Sequence, residues 1–212
     1  MRKAFTLLEI LVALALTALV LVALNTFVFS MGELWGRNAD LRLFDRHVRA
    51  VTRFLGDQLR VAALPPNGDA ETSPFPVEDV RTQGNGTETL MTFELPQGCK
   101  LFVWPGQPLP EVVCALSTRP GTGLVMLWHS RLEKTFDDQP PRETVVSPLV
   151  TEMTYDYYDE GFKNWKNQTT LQKDGHGQYL VPQRLHLKFV YRTHTQEVAV
   201  PIPAVTTGIP PF

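Results

Sequence analysis

Cysteine occurs only twice, at Cys99 and Cys114, so no multi-bridge disulfide scaffold carries this fold. Excess charge of one sign is also missing. A net charge of -2, with neither sign forming a long run, supplies no basic field to attract nucleic acid. The fingerprints of catalysis are absent too: G-x-S-x-G, H-E-x-x-H, the P-loop and the dinucleotide-binding glycine motif do not occur, and the five histidines show no metal spacing. The chain is therefore expected not to be an enzyme and to hold neither cofactor nor metal. Asp156, Asp159 and Glu160 could be set against calcium, but acids beside Tyr157 and Tyr158 fit solvated strand ends better. No internal repeat is present. Asn85-Gly86-Thr87 and Asn167-Gln168-Thr169 match the glycosylation sequon, and both are expected to be turns.

The most local absence is that of charge between Ile10 and Gly32, where Ile10–Leu24 has Thr17 as its sole polar side chain. A helix of that length measures ~35 Å, against a hydrocarbon core of about 30 Å. Arg2 and Lys3 precede it and should stay in the cytoplasm, leaving the chain after Gly32 on the other side. A removable signal peptide competes with this reading. It requires small residues at the cut after a short apolar stretch, whereas the run continues through Phe27, Val28, Phe29 and Met31.

Glu9 stands out among Phe5, Leu7, Leu8, Ile10 and Leu11. A carboxylate inside a membrane is costly, roughly 2.5 to 3.5 kcal/mol for Asp at a helix centre. A bland explanation exists, because a Glu near a helix start can reach the headgroups and favours the N-terminal end of the dipole.

The neighbours decide. Met1-Arg2-Lys3-Ala4 followed by Phe5-Thr6-Leu7-Leu8-Glu9 resembles the prepilin cleavage and methylation motif of type IV pilins and type II secretion pseudopilins. The resemblance implies a cut by prepilin peptidase between Ala4 and Phe5, methylation of the new amino group of Phe5, and retention of the apolar helix. That family usually has Gly before the cut, and this chain has Ala4. Glu9 is implied as the assembly residue: its carboxylate pairs with the terminal ammonium of a neighbouring subunit, an attraction that is strong at low dielectric.

Apolar residues recur at Leu34, Leu41, Phe44, Val48, Val51, Leu55, Leu59 and Ala62, tracing one helical face that Pro65-Pro66 ends. Strands are predicted at Glu88–Leu95, Lys100–Trp104, Val112–Ser117, Gly123–Trp128, Val145–Tyr158, Arg184–Arg192 and Glu197–Ile202, with Pro65 to Gly86 the most loop-like stretch. Leu185, Leu187, Phe189 and Tyr191 should face inward, and Pro201 points to an edge strand. The expected class is α+β and pilin-like: a long N-terminal helix, membrane-spanning in its first half, packed on antiparallel sheet. Its parts are a leader at 1–4, a transmembrane and assembly helix at 5–32, and a periplasmic domain at 33–212 that should fold as a soluble monomer once freed of its anchor.

Met153–Asp159, then Trp165, then Leu180–Leu187 is similar to the ending of the J class of type II secretion minor pseudopilins. This implies a single-pass bacterial inner-membrane protein that enters a filament tip. Its partners would be the I and K minor pseudopilins, the major pseudopilin and exported proteins. A minor pilin of a type IV pilus is the close alternative, and a membrane-tethered periplasmic binding domain a more distant one. Finally, Cys99 and Cys114 are expected to form a disulfide across a hairpin in which Trp104 lies opposite Leu109 and Cys99 opposite Cys114.

Overall fold

The computed structural model describes residues 7–63, 73–83, 86–103, 106–107, 109–134, 136 and 139–203; within the helix, the side chains of 33–38 lie outside the description. The chain divides into two compact units, residues 1–47 and 48–212. Helix α1 (Leu7–Ala62) runs through both in sequence. In the first unit, Leu7–Gly32 has a mean hydropathy of 2.8 and none of it is buried.

In the second unit the predicted stripe does what its spacing requires. Val48, Val51, Leu55, Leu59 and Ala62 are all buried, while Arg49, Arg53, Asp57 and Arg60 point outward. Asp57 and Arg60, one turn apart, pair at 3.6 Å on that outer face.

Among the described residues nine strands follow: β1 (Val77–Arg81), β2 (Thr87–Leu95), β3 (Val112–Arg119), β4 (Gly123–Ser130), β5 (Arg142–Ser147), β6 (Val150–Asp159), β7 (Asn164–Gln168), β8 (Arg184–Tyr191) and β9 (His194–Pro201). They form two antiparallel sheets, one ordered β1-β2-β3-β4-β5 and the other β7-β6-β8-β9, with β6 touching β3 and β4. The α+β class is as expected.

Leu185, Leu187 and Phe189 alternate inward on β8, as the pattern predicts, and Pro201 ends the edge strand β9, where its missing N–H leaves no inner ladder bond unmade. Phe189 is fully buried, so its truncation removes packed volume from the core. Phe189→Ala should cost about 3–5 kcal/mol of unfolding free energy, read from urea titration followed by tryptophan fluorescence.

The structure departs from the predicted strands in three places. The run from Val145 to Tyr158 is two strands in different sheets, divided at Pro148, which lacks the N–H needed to continue the ladder. Gly123 makes that crossing fit: it sits at φ 94°, and a Cβ there would lie 2.2 Å from the Ser147 carbonyl oxygen. Secondly, residues 100–103 form no named strand, and Trp104 lies outside the described residues. The amide of Phe102 donates to the Cys99 carbonyl in a turn, and the Phe102 ring is fully buried and stacked on Trp128 at 4.9 Å. Thirdly, β1 and β7 are edge strands that the composition did not announce, β1 lying inside the stretch read as loop. Asn167, expected in a turn, lies within β7, and Asn85 falls outside the described residues.

Candidate functional site

Glu9 occupies the first turn of α1. A carboxylate in the first turn of a helix is favoured by the helix dipole, by about 0.3–1 kcal/mol. Its described neighbours along the helix are apolar. Leu7, Leu8, Ile10 and Leu11 are more than half exposed, and the same holds around the whole helix for Leu14, Leu16, Leu19, Val22 and Phe29. Apolar surface on every side of a helix belongs in lipid or in a helical assembly. The helix does not end where a signal peptide would; it continues without a break through Phe27–Phe29 to Ala62. One face of this segment also bears Asn25, which sequence reading passed over because its neighbours dominate the hydropathy. Ala4 and Phe5, the expected processing pair, lie outside the described residues.

The expected cross-hairpin pairing of the two cysteines is corrected. Cys114 pairs in register with Phe93 of β2 on one side and Trp128 of β4 on the other, so no position opposite it is left for Cys99. Cys99 instead opens the turn that carries Phe102. Gly98, at φ 65°, lets the chain pass against the Leu109 backbone, where a Cβ would lie 1.9 Å from the Leu109 carbonyl oxygen. Both thiols are free, Cys99 half-buried and Cys114 buried. Burial pushes the Cys114 thiol well up from its ordinary pKa, and the charge of nearby Cys99 adds to that shift. Alkylation of the native chain without reductant should therefore label both cysteines, Cys99 first; intact-mass kinetics read the order.

The C-terminal block singled out in the sequence comes together as adjacent strands. β6 lies between β7 and β8, pairing Tyr158 with Trp165 and Asp156 with Arg184. The Trp165 ring tilts against Tyr158 at 5.1 Å, with the Arg184 guanidinium 3.7 Å from its centroid. The Tyr157 hydroxyl accepts the Gln172 amide at 3.0 Å and donates to the Leu180 carbonyl at 3.3 Å, tying the 172–180 loop to the sheet. Burial pushes the neighbouring Tyr155 phenol up to about 12.

Asp156 and Asp159 are engaged. Asp156 accepts the Asn167 amide at 2.7 Å. Asp159 accepts the Gly161 and Phe162 amides and pairs with Lys166 at 2.5 Å. The hydrogen bond from Lys166 is the main cause that holds its carboxyl below the ordinary range. Asp159 thus caps the β6–β7 hairpin. Among the described residues no three His, Cys, Asp or Glu side chains group as a metal site.

A shallow cleft lies between β1 and the 131–141 loop, bordered by Glu78, Arg81, His129, Arg131 and Phe136. His129 stacks on Phe136 at 3.9 Å, and Arg131 bonds Glu94 at 3.0 Å. These contacts fasten the loop to the sheet.

No curated protein matches the chain. Residues 1–25 match the family described as the prokaryotic N-terminal methylation motif. That match covers Ala4, Phe5 and Glu9 and enters the helix that continues to Gly32 and beyond. An apolar helix near the N-terminus, opening with this motif, fits a membrane-anchored single-pass protein. The motif supports a type IV pilin-like or pseudopilin protein.

Proposed function

We propose that the chain is a minor pseudopilin of a type II secretion system, of the J class, acting in the tip complex of the filament that drives protein export across the outer membrane. The observation that carries the pilin-like part is the methylation motif with Glu9 in the first turn of an unbroken apolar helix. The narrower assignment rests on the likeness of Met153–Asp159, Trp165 and Leu180–Leu187 to the end of J-class chains, residues that β6, β7, β8 and the preceding loop set side by side.

In this reading the protein is not an enzyme. Prepilin peptidase cuts between Ala4 and Phe5 and methylates Phe5, and the helix holds the subunit in the inner membrane with its domain in the periplasm. Glu9 takes the terminal ammonium of the neighbouring subunit as each enters the filament. Its partners are the I and K minor pseudopilins and the major pseudopilin, with exported proteins meeting the tip.

Deleting the chain in its own host separates the alternatives. The proposal expects exported proteins to accumulate in the periplasm, and tagged chain to co-purify with I- and K-class subunits. Intact export with loss of surface pili would assign it to a type IV pilus. If neither changes, a membrane-tethered binding domain remains.

A further inference from the structure

Polar side chains inside a membrane helix have to find hydrogen-bond partners, and most of those in Leu7–Gly32 find them on their own backbone. Thr17, Thr26 and Ser30 turn their hydroxyls onto the carbonyls of Ala13, Val22 and Thr26 at 2.7, 2.9 and 2.9 Å. These bonds, each one turn back, make a hydroxyl tolerable in hydrocarbon. Asn25 has no such bond; among the described residues its carboxamide meets no partner. It presents two N–H donors and an acceptor oxygen. Within the Leu7–Gly32 span it lies ~8 Å beyond the midpoint, still inside a hydrocarbon half-layer of about 15 Å.

The surface around it is shaped to be approached. Val22, Asn25, Thr26, Phe29 and Ser30 line a shallow recess along one helical face. Thr26 and Ser30 are small and already satisfied, so a facing helix can come close to Asn25 without stranding their hydroxyls.

We propose that Asn25 joins this membrane helix to the same helix of a second copy of the chain, carboxamide to carboxamide. Three features favour a second copy over other occupants. A carboxamide is both donor and acceptor and so complements itself. Arg2 and Lys3 at the start orient all copies alike, so two chains side by side hold Asn25 at one depth. Glu9 falls about 160° around the helix from Asn25, so two copies meeting through this face keep their carboxylates apart. The pairing therefore leaves Glu9 open for its role in assembly.

This inference rests on the reading of Leu7–Gly32 as membrane-spanning, and its test reads anchoring separately from pairing. Two differently tagged copies of the full chain are produced together in a bacterium that contains no other pilin-like subunit. Membranes are washed with alkaline carbonate to score anchoring, then solubilised in mild detergent to score co-isolation of the tags. Wild type should stay in the washed membrane and co-isolate. Asn25→Leu should stay in the membrane equally well but pair about three- to tenfold more weakly, the range of one interhelical hydrogen bond in a membrane. Asn25→Gln, which keeps the carboxamide, should retain pairing. Wild-type chains that stay in the membrane without co-isolating, or an Asn25→Leu variant that pairs like wild type, would overturn the inference and leave the anchor intact. Chains that wash off the membrane would overturn the anchor and the pairing together.

Discussion

Glu9→Val should fold, insert and be processed, yet be absent from filament tips. The carboxylate lies in the first turn of α1, outside the second unit and its buried core, so the substitution removes no core contact. It also makes the segment more apolar, which favours insertion. In the proposed role, what is lost is the partner for a neighbouring ammonium at low dielectric. Removing one member of a buried ion pair costs about 3–5 kcal/mol, which is roughly a hundredfold or more in an assembly equilibrium. Recovery of the variant in purified tip complexes, together with export of a reporter protein, measures this. Normal recovery with normal export would leave Glu9 as a headgroup-reaching residue and no more.

Ala4→Arg should leave full-length precursor in the membrane. Ala is the smallest residue after Gly, and the proposed peptidase is expected to accept it; a long cation at that position does not fit a site made for Gly. Precursor and mature chain differ by the leader, so immunoblots or intact mass resolve them, and the expected loss of mature chain is near complete. Ala4→Gly, which restores the usual residue of the family, should be cut at least as fast as wild type. If Ala4→Arg is still trimmed at Phe5, a different peptidase acts on this chain.

These two effects fall in the segment where the sequence was easiest to read, and the reason is physical. The helix from Leu7 through the Val48–Ala62 stripe is specified locally, by unbroken hydropathy and then by a 3.6-residue period. β8 is legible for the same reason: its side chains alternate because one face of the sheet is buried. Edge strands carry no such constraint. β7 is Asn164-Trp165-Lys166-Asn167-Gln168, mostly polar and exposed, and it is a strand only because β6 offers it a ladder. β1 is held in the same way by β2.

The cysteines show a different limit. Their predicted register assumed that the nearest stretches in sequence pair with one another. β3 instead pairs with β2 and β4, and the stretch between β2 and β3 spends itself burying Phe102 against Trp128. Within the site, Glu9 was legible because a charge in an apolar run is conspicuous. Asn25 was not, since its significance appears only when Thr17, Thr26 and Ser30 are seen to satisfy themselves and it does not.

In the proposed function the apolar helix is retained behind a processed, methylated N-terminus. Mass spectrometry of the chain isolated from its own host tests this most directly. The expected mature chain begins at Phe5 and carries one methyl group on its α-amino nitrogen. A chain that begins at Met1, or one that begins near residue 20 with the apolar segment removed, would contradict it.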